Sequence, residues 1–397
     1  MGGEIDMRIT EEIPGLEAEM TAWRHHFHAF PETAFQERET SRFLAEKLES
    51  SGLDVYRGIG RTGIVARLVR SEGASGSIGL RADMDALNIQ EENDLEYRSM
   101  VPGKMHACGH DGHMAMLLGA AKYLVLKGKF SGTVTFIFQP AEETANGARA
   151  MVEDGLFNRF PVDGVFGLHN IPTMPEGSFA AIPGSMMAAF DTFDITITGV
   201  GGHAGGLPGN VRDPVVAASQ AIAMFQSIVS RNVDPREAAV LSVTEIKGGT
   251  AYNVIPDKVV LRGCTRHFKP SVQDLVKKRM EEVLKGLELS LGVSTEMKYE
   301  PRCPALINRQ KETEEALRAA SLIVGSDHVS GNISPVMNSE DFSFMLNSVP
   351  GAFLVMGAGL PRPNGMTHQP GYDFNDRLLS IGARYWVSLV ESLLPEK

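Results

Sequence analysis

Three short apolar runs in this chain each end on side chains that do chemistry. Ile78–Ala82 (IGLRA) runs into Asp83 and Asp85, Thr135–Gln139 (TFIFQ) into Glu142 and Glu143, and Val165–Leu168 (VFGL) into His169. Runs this short and this apolar read as buried strands. Between them lie segments of helical periodicity, and that alternation requires an α/β sheet covered on both faces. Ligands of such sheets bind beyond the carboxyl ends of the strands, where these acidic and imidazole groups stand.

The remaining elements follow from local pattern. Helices are expected over about Glu11–Phe30, stopped near Pro31, over Glu37–Ser50, ended by Gly52, and over Gly112–Leu126. Strands are expected at Ile64–Val69, Ser77–Ala82, Gly132–Phe138 and Val162–Leu168. Near Met186 the pattern changes to a β-α-β-β-α-β order, with strands at Phe190–Thr198, Ala239–Lys247, Lys258–Phe268 and Val293–Lys298 and helices at Pro214–Val229 and Ser271–Leu287. That order is a split βαβ, or ferredoxin-like, unit. The expected organisation is therefore a catalytic α/β domain in two parts, residues 1–185 and 301–397, with a small domain of residues 186–300 inserted. The second part closes with a helix near Lys311–Val324, the strand FLVMG and a helix at Asp376–Leu394.

The densest chemistry is GKMHACGHDGHMAM, Gly103–Met116, which sets His106, Cys108, His110, Asp111 and His113 within eight residues of a chain with three Cys and eleven His. Thiolate, imidazole and carboxylate are the side chains that bind transition metals. Glu142 and Glu143 are neighbours whose side chains point different ways, so one can hold a metal while the other takes a proton from water. His169 and His368, in a Pro/Gly loop before the last helix, are further candidate ligands. Asp83 and Asp85 can be ligands or acceptors that fix imidazole tautomers, and the second role is preferred. His106 and His113 are read as structural, as are His25, His26, His28, His267 and His328. His203 lies in the glycine-rich stretch GVGGHAGGLPGN, Asn253 in AYNVIPD and Arg266 in RGCTRHF. A guanidinium suits a substrate carboxylate, although a surface strand residue is the plainer reading of Arg266.

Composition narrows the function. A net charge of −11 with no basic run argues against nucleic-acid binding. Cys108, Cys264 and Cys303 are too scattered for a disulfide framework. The acidic start, Met1–Met20, has no apolar core and is not a signal peptide, and no run approaches the ~20 apolar residues of a membrane span. A reducing cytoplasm is the expected setting, one in which Cys108 stays available as a ligand.

Together, RADMDAL, MHACGHDGH, FQPAEE, GLHN, GGHA, NVIPD, SEDFS and the HQPGYDFND ending occur in an order that resembles the amidohydrolase branch of the aminoacylase and glutamate-carboxypeptidase-like dinuclear metallopeptidases. That branch contains hippurate hydrolases, N-acyl-amino-acid deacylases and auxin-conjugate hydrolases. The resemblance spans about Trp23–Asp376. It implies a two-domain fold in which the inserted unit is a dimerisation or lid domain, so the protein would be a homodimer or higher homo-oligomer. It implies two divalent metal ions per subunit, zinc first, with manganese, nickel or cobalt as alternatives. The ligands it implies are Cys108, His110, Glu143, His169 and His368, with Cys108 bridging. Glu142 would be the general base, and Asp83, Asp85 and Asp111 would stand behind the ligands. His203, from its own or a neighbouring subunit, would stabilise the oxyanion, and Asn253 and Arg266 would hold the substrate carboxylate. The implied reaction is hydrolysis of the amide bond of a small N-acyl amino acid. The alternatives are a dipeptidase or carboxypeptidase of the same superfamily, a cysteine hydrolase with Cys108 as nucleophile, and a non-catalytic relative. The sequence departs from the branch at Leu207-Pro208-Gly209, where a Pro-His pair is usual, and at Asn88, where Pro is usual.

Overall fold

The computed structural model describes residues 12–70, 76–206, 208–359 and 365–396. The N-terminal stretch Met1–Glu11 and Leu207 lie outside the described residues. The chain divides into two compact units, Met1–Met186 with Ile307–Pro335 and Glu340–Lys397, and Met187–Leu306 with Val336–Ser339.

The first unit is built on an eight-stranded sheet. Its order is Asp54–Ile59, Gly63–Arg70, Gly132–Gln139, Ser77–Asp83, Gly164–Ile171, Gly351–Gly357, Phe179–Ala180 and Val329–Ser330. Ser77–Asp83 runs parallel to both Gly132–Gln139 and Gly164–Ile171, and Gly351–Gly357 runs parallel to Gly164–Ile171. Four central strands thus end on the same side. Consecutive residues Phe136, Ile137 and Phe138 are all fully buried, as a strand covered on both faces requires. The helix His110–Leu126 packs on the Ser77–Asp83 strand and against the helices Leu16–Ala29 and Leu378–Leu393. Being enclosed by neighbours, it is apolar nearly all round, with Met114, Leu117, Leu118 and Leu124 buried.

Two local expectations are corrected, and one further strand is added. The third central strand continues past Leu168 to Ile171, so His169 lies within it, paired with Val355, and does not follow it. The apolar run stops at Leu168, but backbone pairing with Gly351–Gly357 carries the strand on. The first helix begins at Leu16, after Gly15 at φ 85°. The edge strand Asp54–Ile59 went unread because most of its side chains are exposed and carry no apolar alternation.

The second unit holds a four-stranded antiparallel sheet in the order Ala239–Lys247, Lys258–His267, Ala189–Thr198 and Ser294–Cys303. Two helices, Pro214–Arg231 and Pro270–Leu291, complete the expected β-α-β-β-α-β unit. The alternation of Phe193, Ile195 and Ile197 faces them toward Ala217, Ala221, Phe225, Val276 and Met280 in one core. Pro214 starts its helix because Asp213 caps it, accepting from Val215 N at 2.8 Å and Val216 N at 3.3 Å. A two-stranded ribbon, Gly202–His203 with Val254–Ile255, stands apart from the sheet. Among the described residues no helix is long and apolar enough to cross a membrane.

Candidate metal centre and active site

The loop Met105–Gly109 delivers its chemistry through one left-handed residue. Gly109 sits at φ 99°, and a Cβ there would run into Asn170 Oδ1 and the Tyr372 hydroxyl. Only glycine fits, and the turn makes His110 the first residue of the helix, fully buried. His110 Nδ1 lies 2.8 Å from the carbonyl oxygen of Asp85. A carbonyl only accepts, so Nδ1 carries the hydrogen, and Nε2 carries a lone pair when the ring is neutral; against the desolvation of burial, Asp83, Asp85 and Glu143 raise the His110 pKa to about 10. That buried Nε2 has no hydrogen-bond partner among the described residues. His169 repeats the arrangement. Its Nδ1 donates to Asn170 O at 2.7 Å, and its Nε2 lies 3.4 Å from Cys108 Sγ.

Glu142 and Glu143 occupy a single 3₁₀ turn after the Gly132–Gln139 strand. Two buried carboxylates fix its backbone. Asp85 accepts from Glu142 N at 3.0 Å and Glu143 N at 3.1 Å, one on each oxygen. Glu37 accepts from Ala141 N at 2.9 Å and Thr62 Oγ1 at 2.6 Å, which holds Ala141 in the left-handed region at φ 53°. So placed, Glu143 Oε2 is 3.3 Å from His368 Nε2, and Glu143 Oε1 is 3.9 Å from His110 Nε2. Glu143 Oε1 is also buried with no partner among the described residues. His368 comes from far along the chain, at φ 65°, its N–H donating to Ala107 O at 2.7 Å.

Two sets of possible ligand atoms, Cys108 with Glu143 and His368, and His110 with Glu142 and Glu143, lie within 4.8 Å of one another. A third set joins Asp83, His110, His113 and His169, but there Asp83 and His113 are already engaged. Asp83 Oδ1 meets His113 Nδ1 at 2.6 Å, Asp83 Oδ2 accepts from Arg81 Nη1 at 2.7 Å, and His113 Nε2 is 2.8 Å from Asn170 Oδ1. Asp111 Oδ2 is similarly bound to His28 Nδ1 at 2.9 Å. His106 is buried within electrostatic reach of Asp111, His28, His110 and Asp83, with neither ring nitrogen hydrogen-bonded among the described residues.

The electrostatics are those of a crowded anionic pocket. Burial first, then the carboxylates of Glu143 and Glu142, push the Cys108 thiol well above its ordinary range. Burial, with Glu340, Glu143 and Asp341 close by, raises Glu142 strongly. Burial holds His169 well below the usual imidazole value, as a neutral ring. Fully buried Arg81 answers part of the charge, with Nη2 2.8 Å from Glu340 Oε1. One thiol, three imidazoles and one carboxylate, two of their buried atoms lacking partners among the described residues and excess negative charge around them, fit divalent cations.

The three remaining candidates lie in the second unit. His203 and Asn253 share the two-stranded ribbon, where His203 pairs with Val254 and Ala204 N donates to Asn253 O at 3.0 Å; both side chains are exposed. Arg266 is elsewhere, on the four-stranded sheet. It is half-buried, with its guanidinium 4.1 Å over the Phe190 ring and Nη1 donating to Ser339 Oγ at 2.8 Å. Several residues near the centre were not singled out from sequence: Arg81, Glu37, Asn170, Tyr372, Glu340 and Asp341. The last two lie in the SEDFS motif, where Asp341 accepts from Gln139 Nε2 at 2.6 Å and Ala148 N at 3.0 Å. Arg81, Asn170 and Tyr372 lie in the RADMDAL, GLHN and HQPGYDFND motifs, whereas Glu37 carries no local signal.

Residues 79–392 match Peptidase family M20/M25/M40. The chain is 39% identical over 384 residues to a hippurate hydrolase of Campylobacter jejuni, covering 96% of this chain and 98% of that one. It is 38% identical over 375 residues to an N-acetylcysteine deacetylase of Bacillus subtilis, covering 94% and 96%. Its fold superposes with a TM-score of 0.83 on a dinuclear metal-binding M20 peptidase of Bacillus subtilis, at 31% identity, covering 97% of this chain and 100% of that one. Matches of this extent, on an α/β fold with a ferredoxin-like insert and a cluster of metal-type ligands, leave one conclusion: the chain belongs to peptidase family M20/M25/M40.

Proposed function

We propose that this protein hydrolyses the amide bond of small N-acyl amino acids, with two divalent metal ions held by Cys108, His110, Glu143, His169 and His368 and with Glu142 as general base. The observation that carries this reading is that His110 Nε2 and Glu143 Oε1, both buried without a partner among the described residues, lie 3.9 Å apart beside Cys108 and His368. Bound there, the ions would polarise the substrate carbonyl and make water acidic enough to deprotonate near neutral pH. A thiolate among imidazoles suits zinc, with manganese, nickel and cobalt as alternatives.

Glu142 takes one proton from the attacking water as its oxygen bonds to the amide carbon. When the C–N bond breaks, Glu142 returns that proton to the leaving nitrogen. Its burial beside Glu340, Glu143 and Asp341 raises its pKa while the site holds no cation. Asp83, Asp85 and Asp111 keep the ligands in place. His203, from the same or a neighbouring subunit, is assigned to the developing oxyanion, and Asn253 and Arg266 to the substrate carboxylate. The protein is read as a cytoplasmic homodimer or higher homo-oligomer.

A panel of hippurate, N-acetyl amino acids and dipeptides, run before and after chelation, tests the reading. N-acyl amino acids should be the better substrates, and chelation should abolish turnover that added metal restores. Preferred cleavage of dipeptides would move the protein to the peptidase alternative, and activity surviving metal removal would favour the cysteine one.

A further inference from the structure

The ligand His368 is weakly held by its own surroundings. Its side chain is 53% exposed, and its backbone sits at φ 65°, a conformation that L-residues avoid. One backbone bond, His368 N to Ala107 O, ties it to the Cys108 loop. Its loop is held at Pro370 O by Glu92 N at 3.0 Å and at Tyr372 O by Asn93 Nδ2 at 2.8 Å, and a charged attachment comes from the first helix. Arg24, with a side chain 0% exposed, places Nε 2.7 Å from Asp376 Oδ1 and Nη1 3.0 Å from Asp373 Oδ1. The same Nη1 reaches Asp111 Oδ2 at 3.5 Å, next to His110 in the chain. The guanidinium lies 4.4 Å from the centre of the Tyr97 ring, and the Tyr97 hydroxyl donates to Asp373 Oδ2 at 3.0 Å.

A buried guanidinium cannot shed its charge, and its planar fork demands acceptors in fixed directions. Arg24 therefore ties two stretches to one another: the start of the helix that bears His110 and the loop that follows His368. Arg24 precedes residue 79, where the family match begins, and it touches none of the candidate ligands.

We infer that Arg24 is a positioning residue for the metal centre, setting His368 relative to His110 through Asp373, Asp376 and Asp111. This rests on the reading of His368 as a ligand. A helix outside the ligand-bearing segments would then decide how tightly one of the two ions is held.

The test is titration of the chelator-treated full chain with cobalt(II), followed by its visible absorption, alongside thermal unfolding. The variants are Arg24→Lys, which keeps the charge and loses the fork, Asp373→Asn, which weakens the loop side of the link, and His368→Ala as the reference. Met20→Ala is the control, since Met20 is fully buried on the same helix and lies against Gly119. Wild type should bind two ions. His368→Ala should lose one, and Arg24→Lys and Asp373→Asn should weaken that same one by about tenfold or more. Met20→Ala should lower the unfolding temperature and leave both affinities intact. Two ions bound at wild-type affinity by His368→Ala would overturn the ligand reading itself. Loss of an ion in His368→Ala, with both affinities intact in Arg24→Lys and Asp373→Asn, would overturn the inference alone. It would also fall if Met20→Ala weakened cobalt binding as much as Arg24→Lys, because the effect would then be general destabilisation.

Discussion

His110 and Asp85 are joined by a hydrogen bond from the imidazole Nδ1 to the Asp85 carbonyl at 2.8 Å, while the Asp85 carboxylate grips the backbone of Glu142 and Glu143. One residue at the end of a strand thus orients an imidazole lone pair and the turn that bears the acidic pair. Asp85→Ala should lower metal affinity by about 10- to 100-fold. Asp85→Asn, which keeps one acceptor oxygen, should fall between that variant and wild type. Competition against a chromogenic chelator measures both; because the carbonyl bond to His110 survives either substitution, unchanged affinity in Asp85→Ala would remove the Asp85 carboxylate from the support of the centre.

Glu142→Ala should reduce kcat by at least about 10²-fold, the lower range of what a general acid–base group contributes, with two ions still bound. Metal analysis and steady-state kinetics on the same sample check this. Near-wild-type turnover would make the base assignment wrong.

Glu37 gives a pH dependence with a definite sign. Burial raises its pKa from 4.5 to about 7, against the hydrogen bond from Thr62. The folded state therefore holds this proton more tightly than the unfolded chain does. The associated stability is fully present below about pH 4.5 and is lost as pH rises through about 7. A shift of that size corresponds to about 3 kcal/mol. Glu37→Gln cannot ionise, so its stability relative to wild type should improve across this interval. Urea unfolding at pH 4.5 and pH 8 measures the difference, and an equal gap at both pH values would contradict the shift.

Gly109→Ala should destabilise the protein by at least about 2 kcal/mol, because a left-handed backbone and a collision with Asn170 and Tyr372 coincide. The substitution should also impair metal binding, since Gly109 feeds directly into His110. Thermal unfolding and metal content report the two effects separately.

Much of the architecture was legible in the chain. The apolar runs around Leu80, Phe136 and Phe166 are too short and too continuous for anything but buried strands, and the alternation at Phe190–Thr198 marks a sheet with one covered face. Where the pattern of side chains and the pairing of backbones diverge, sequence reading fell short. His169 is polar and ended the apolar run, yet its backbone pairs with Val355. Asp54–Ile59 pairs with Gly63–Arg70 although most of its side chains face solvent.

The same division holds at the centre. Residue types and motif order marked Cys108, His110, Glu142, Glu143, His169 and His368 before any fold was known, because only a few side chains can bind metals or move protons. Motif order already put His110 among the ligands and left His113 structural, but it gave no physical ground for the difference between two imidazoles three residues apart. The fold separates them: His113 is bonded at both nitrogens, to Asp83 and Asn170, whereas His110 keeps a buried Nε2 without a partner among the described residues. Nor could the sequence connect Arg24 with Asp376, 352 residues away. Residue chemistry sets what a side chain can do. Burial and the competition for hydrogen-bond partners decide what remains available for it to do, and those are properties of the folded chain.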